Sequence, residues 1–263
     1  MMRDPFREGL AAGWNHIDAS ALVADQALEA DVVIVGSGAG GGVTAELLTG
    51  AGLKVIIVEE GPLRTSSDFR MLESEAYPML YQESASRHTA DKAIKILQGR
   101  CVGGSTTVNW TSSFRTPQPT LHWWQTAHGL KNLSVEAMAP WFAAMEQRLH
   151  VGLWPLPPNE NNAALARGAE KLGIPVAVIL RNVKMCWNLG YCGMGCAMAD
   201  APERGVVSDE GHHFQIDNLS VHDGSLFPTS IGANPQLSIY GLVARNASLL
   251  AAALSGRPRP AIL

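Results

Sequence analysis

The chain has 263 residues, of which 46% are hydrophobic and 17% charged, with a net charge of −4. It is long enough to bury a substantial core as one large or two small domains. No Lys/Arg cluster stands out, so nothing in it attracts nucleic acid or acidic lipid. No uninterrupted apolar stretch approaches the roughly 18 residues that span a bilayer, and the first eight residues lack the apolar core of a signal peptide. The expectation is a cytoplasmic protein without a transmembrane segment, with peripheral membrane association left open.

Residues 1–30 read as a helical lead-in. The apolar run Asp31-Val32-Val33-Ile34-Val35 is followed at once by Gly36-Ser37-Gly38-Ala39-Gly40-Gly41, then by helical spacing over Gly42–Thr49 that ends near Gly50 and Gly52. A second run, Val55-Ile56-Ile57-Val58, ends in Glu59. Strand, Gly-x-Gly-x-x-Gly turn, helix, strand and acid together predict a βαβ unit that holds a dinucleotide. Gly36 allows the tight turn, Gly38 lets the backbone approach a pyrophosphate, and Gly41 lets the helix pack close to the strand. The helix N-terminus points unpaired N–H groups at the phosphates. Glu59, 23 residues after Gly36, is placed to accept the ribose hydroxyls of an adenosine. A carboxylate there repels a 2′-phosphate, which excludes NADP.

From Gly61 to Gln98 the pattern predicts loops and short helices. Gly99–Asn109 is a distinct Gly-rich element, in which Gly103, Gly104 and three small hydroxyl residues offer backbone N–H groups to a flat or anionic ligand. Thr116–Pro119 reads as a loop. Trp123, Trp124 and Trp141 read as core, with Trp141, Met145 and Leu149 on one stripe of a helix over Ala137–Leu149. After the irregular, Pro-rich stretch 151–162, the pattern predicts a helix over Ala163–Leu172 and a strand over Val176–Leu180.

Three of the four cysteines, Cys186, Cys192 and Cys196, fall within eleven residues. Their spacing fits neither a zinc knuckle nor a ferredoxin run, and a fourth ligand would have to be conscripted from Cys101 or His212. Reduced thiols in a Gly-rich turn are the expectation, with no metal site. Asn218–Val221 reads as a strand ending in Asp223-Gly224-Ser225. Asn234-Pro235 opens a long helix with an apolar stripe through Leu237, Tyr240, Val243, Ala247, Leu250 and Leu254. Its start joins a polar side chain to a positive dipole end, which serves as an ordinary cap and is also a point suited to negative charge on a ligand.

The front fingerprint through Glu59-Glu60-Gly61-Pro62, the block Gly99–Asn109 and the tail motifs Asp223-Gly224-Ser225, Pro228-Thr229-Ser230 and Asn234-Pro235-Gln236-Leu237 together resemble the glucose–methanol–choline (GMC) family of FAD-dependent alcohol oxidoreductases. The resemblance implies an α/β, Rossmann-like FAD-binding domain whose βαβ start is completed by the C-terminal strand and helix. Residues 1–196 would supply its front part with cap segments, and 197–263 the tail. FAD would be the cofactor and a small-molecule alcohol the donor, oxidised by hydride transfer; the electron acceptor is not indicated. Gly103, Gly104 and Asn109 would line the flavin, Asp223 would meet its ribityl or pyrophosphate region, and Asn234 would belong to the catalytic His/Asn pair. An NAD-dependent dehydrogenase would share the front fingerprint but leave Gly99–Asn109 and the tail unexplained.

The departures are as specific. Family members are about twice this length, and their second Gly/Ser-Pro flavin motif and most of the substrate domain are not found. Gly193-Met194-Gly195-Cys196 reads as the end of the family's front segment fused to the start of its tail, as an internal deletion would leave it. The catalytic histidine aligns with Tyr191, 43 residues before Asn234, and a phenol of pKa near 10 is no base at neutral pH. A flavin-binding remnant without turnover is therefore the alternative to an active enzyme.

Overall fold

The computed structural model describes residues 4–154, 156–182 and 196–260. Cys186, Tyr191, Cys192 and most of the Gly193–Cys196 junction lie outside them. The chain divides into two compact units, one holding residues up to Asn109 together with Asn246–Pro260, the other running from Trp110 to Arg245.

In the first unit, strand β1 (Val32–Val35) pairs in parallel with β2 (Val55–Val58), Val32 opposite Val55 and Val35 opposite Val58. Parallel neighbours need a crossover, and α2 (Ala39–Gly50) supplies it, starting three residues earlier than its apolar spacing indicates. Successive strand residues alternate faces. Val32, Ile34 and Val55 pack against Leu48, Ala51 and Ala251, so α2 and the end of the C-terminal helix cover one face of the pair. Arg257 fastens that end by donating to the carbonyl of Ala51 at 3.0 Å. A second cluster joins Leu80, Tyr81, Ala85, Cys101 and Val108 beside helix α3 (Glu73–Leu80).

The lead-in is less helical than expected. Helix α1 spans only Pro5–Ala11, followed by a single 3-10 turn at Ala19–Ala21. What fixes it is Asp4, which caps α1 and accepts hydrogen bonds from the hydroxyls of Thr65 and Ser67, each at 2.6 Å.

The second unit is built on α4 (Gln118–Ala127), α5 (Val135–Arg148), α6 (Glu160–Lys171) and the N-terminal half of α7 (Gln236–Ser255). Trp124 and Trp141 are buried. Trp124 stacks on Phe227 at 5.2 Å and donates its indole N–H to the Thr229 hydroxyl at 2.8 Å. Trp123, by contrast, is on the surface. At Gly241 a Cβ would run into the ring of Phe142, so the glycine is what lets α5 and α7 approach.

Two expected strands do not form. Val176–Leu180 stays irregular, with Val176, Val178, Ile179 and Leu180 all exposed. β-branched composition favours a strand only where a partner and a burying surface are present. The segment 218–221, expected as a strand, pairs only locally. His213 N–H donates to the Leu219 carbonyl at 3.0 Å and Val221 N–H to that of Gly211 at 2.8 Å. Closing so short a loop costs little entropy. The end of the C-terminal helix thus completes the βαβ start, and the sheet among the described residues has only β1 and β2.

Helix α7 is long and apolar enough to cross a bilayer, which the sequence reading did not credit, and 72% of that stretch is buried inside the protein. Leu237, Tyr240, Val243 and Ala247 are buried as expected, whereas Leu254 is exposed.

Candidate cofactor site

The turn after β1 has the geometry its glycines suggest. Gly36 takes φ +91°, a left-handed conformation that favours glycine, and its N–H donates to the carbonyl of Val58 at 2.8 Å. A Cβ at Gly41 would collide with the carbonyl oxygen of Gly36, so the third glycine seats the helix on the turn. At Gly38 and Gly42 an added Cβ would meet nothing within 4 Å. Gly38 caps α2 with no side-chain hydrogen bond. A helix N-terminus with a glycine cap and open backbone in front of it suits a pyrophosphate.

Glu59 does more than wait for a ribose. One carboxylate oxygen accepts from the Ser37 N–H at 2.9 Å and the Ser37 hydroxyl at 2.7 Å, and the other from the Gly61 N–H at 2.9 Å. The Ser37 oxygen in turn accepts from the N–H of Gly103 at 2.9 Å. The two glycine-rich segments, 66 residues apart in sequence, therefore meet at one hydroxyl. Gly104 lies against the turn as well, since a Cβ on it would come within 3.1 Å of the Gly38 Cα.

The second segment forms a tight loop around a 3-10 turn at Gly104–Thr106, with Gly103 at φ +92°. Its hydroxyls serve the loop itself. Ser105 accepts from Gly99 N–H at 3.0 Å, while Thr106 and Thr107 donate to the carbonyls of Gly103 at 2.6 Å and Val102 at 3.0 Å. Asn109 is buried at the end of this segment. Beneath it the Cys101 thiol is fully buried, and burial pushes its pKa up to about 11, so it is inert as a nucleophile.

Of the expected site residues, Gly36, Gly38, Gly41, Glu59, Gly103 and Gly104 come together in the first unit, and Asn109 belongs to it too. Asp223 and Asn234 belong to the second. Asp223 is exposed and accepts from the Ser225 N–H at 2.7 Å and the Ser225 hydroxyl at 2.5 Å, capping a 3-10 turn at Gly224–Leu226. Asn234 stands just before α7. The first helical bond runs from Ile239 N–H to the Pro235 carbonyl at 2.8 Å, so Pro235 marks the boundary and the helix begins one residue later than expected. Sequence reasoning missed Ser37.

A parallel pair joined through a glycine turn and closed by an acid defines a Rossmann-like dinucleotide-binding α/β fold. Residues 77–203, which include the second glycine segment, match the sequence family described as GMC oxidoreductase. Long-chain-alcohol oxidase FAO4A of Arabidopsis thaliana is 31% identical over 201 residues, covering 76% of this chain and 27% of that protein. Long-chain-alcohol oxidase FAO3 of the same plant is 34% identical, covering 66% and 23%. A GMC-type oxidoreductase of Sinorhizobium fredii, y4nJ, is 32% identical, covering 64% and 34%. Among solved structures, pyridoxine 4-oxidase from Mesorbium loti aligns over 44% of this chain and 24% of that one, at 26% identity and a TM-score of 0.34. The match places residues 77–203 in the GMC oxidoreductase family, and the chain matches about a quarter to a third of the length of these curated relatives. The family is FAD-dependent, and FAD is the dinucleotide to which the open glycine turn corresponds.

Proposed function

We propose that this chain binds FAD through the turn Gly36–Gly41, the carboxylate of Glu59 and the loop at Gly103-Gly104, and that its chemistry is the oxidation of an alcohol CH–OH group. The observation that carries the reading is the junction of the two glycine segments at the start of α2, with open space in front of Gly38. Bound FAD supplies the acceptor for a hydride from the alcohol carbon. The chain's own residues bind and orient. Gly38 and the first turn of α2 would hold the pyrophosphate, Glu59 the ribose hydroxyls, Asn109 the flavin and Asp223 the ribityl or pyrophosphate region. Asn234 would steady negative charge with the dipole of α7 behind it. The long-chain-alcohol oxidases among the relatives make a long-chain alcohol the first substrate to test.

One observation favours a second reading, flavin binding without turnover. By the resemblance, the family's proton-handling histidine falls at Tyr191, and losing a general base costs about 10²–10⁴-fold in rate. Purified protein should carry an oxidised-flavin absorption spectrum, and FAD rather than NADP should be released on denaturation. Protein that retains NADP more tightly than FAD overturns the binding assignment. Dye reduction by the flavin-loaded chain with long-chain alcohols separates the readings. Its absence selects the second, and robust reduction shows that a residue other than Tyr191 serves as base.

A further inference from the structure

Resting on the FAD assignment above, we infer that Ser37 is a positioning residue, the joint through which the Gly103-Gly104 loop is held on Glu59 so that both glycine segments form one cofactor-binding edge. A serine hydroxyl has one donor and two acceptor sites, and Ser37 uses both kinds. It donates to the Glu59 carboxylate at 2.7 Å and accepts from the Gly103 N–H at 2.9 Å, while its own N–H reaches the same carboxylate oxygen at 2.9 Å. Alanine or glycine here could do neither job with its side chain. The bonds to Glu59 are charge-assisted and hence roughly twice as strong as neutral ones. They polarise the hydroxyl and strengthen the bond it accepts.

The arrangement divides the labour of Glu59. Three of its roughly four acceptor sites serve Ser37 and Gly61, so the acid first locks the protein and only then meets a ribose. Gly103 is the partner this lock needs. At φ +92° its N–H is turned toward the first loop, and its neighbour Gly104 sits against Gly38, where a side chain would intrude. A residue at the second position of the fingerprint thus sets the distance between two binding loops.

The test is a double-mutant cycle on FAD affinity with Ser37→Ala and Glu59→Gln, together with amide exchange at Gly103 in the apoprotein. In the unsubstituted chain the Gly103 amide should exchange at least about tenfold more slowly than an open amide. Ser37→Ala should abolish that protection and weaken FAD binding roughly 5- to 50-fold, through the loss of the charge-assisted hydroxyl bond to Glu59 and the neutral bond from Gly103. Ser37→Thr, which keeps the hydroxyl, should restore both. Because Ser37 acts in part through the charge on Glu59, the Ser37→Ala penalty should be clearly smaller in the Glu59→Gln background. Additive penalties, or Gly103 exchange at the open rate in the unsubstituted chain, overturn the inference. A chain that takes up no FAD overturns the proposed function, and Gly103 exchange in the apoprotein then decides the joint by itself.

Discussion

Gly41 lies so close under the carbonyl of Gly36 that the backbone has no room for a methyl group between them. A Cβ there would also stand 3.4 Å from Ile34 Cγ2, on the strand the helix covers. Gly41→Ala should therefore push α2 off the turn at a cost of about 1–3 kcal/mol. One residue on, Gly42 faces open space, and Gly42→Ala should stabilise the apoprotein by about 0.5–1 kcal/mol through helix propensity. Urea unfolding of both variants checks the pair. Equal effects would show that the tight contact is not what selects glycine at position 41.

What was legible in the sequence was what is local. Gly36, Gly38, Gly41 and Glu59 stand at spacings that force a strand–turn–helix–strand unit, and the βαβ start is there. The contribution of Ser37 was not legible, because a serine inside a glycine turn carries no periodic signal and its partner Gly103 is 66 residues away. Helix α4 was hidden by Pro117 and Pro119, which read as breakers, although proline fits the first turn of a helix where its missing N–H is no loss. The strands expected at Val176–Leu180 and 218–221 failed for the opposite reason. Their composition favours β structure, but pairing is a tertiary property that composition does not specify.

Asp4 ties the start of the chain to residues 65–68. It accepts hydroxyl bonds from Ser67 and Thr65 and backbone bonds from Arg7 and Ser67. Those bonds, the Ser67 hydroxyl foremost, hold its carboxyl well below the usual carboxylate range. With the folded pKa depressed, its stabilising contribution is fully present above pH about 4 and is lost as pH falls through the folded value. Asp4→Asn should lower stability at neutral pH and flatten the acid limb of a stability–pH curve below pH about 4. An unchanged limb would place the acid sensitivity elsewhere.

Arg245 lies within α7 with only 6% of its side chain exposed. Its guanidinium donates to the backbone carbonyl of Asp209 at 2.8 Å and approaches the Asp209 carboxylate at 3.9 Å. Removing the cation leaves the Asp209 carbonyl without its donor and the partly exposed carboxylate without its counter-charge, so Arg245→Ala should cost about 1–3 kcal/mol. Asp209→Asn keeps the carbonyl contact and should cost only about 1 kcal/mol. Denaturant midpoints at neutral pH check the asymmetry, and equal losses would mean that the carboxylate, not the carbonyl, holds Arg245.

His222 precedes Asp223 in the tail. Burial pushes its imidazole down to about 4, His212 acts in the same direction, and Asp223 opposes them. The folded protein therefore keeps His222 neutral through mildly acidic pH, whereas the unfolded chain takes up a proton near pH 6.5. Between those two values the unfolded state binds more protons, so stability rises with pH across the window. At about 1.4 kcal/mol per pH unit, the protein should lose up to about 3 kcal/mol on going from pH 6.5 to 4, with no further loss from this group below that. His222→Gln should remove that slope while leaving the Asp4 limb below pH about 4 in place. Urea unfolding between pH 4 and 7 measures it. A variant that keeps the full slope would assign the titration to another group.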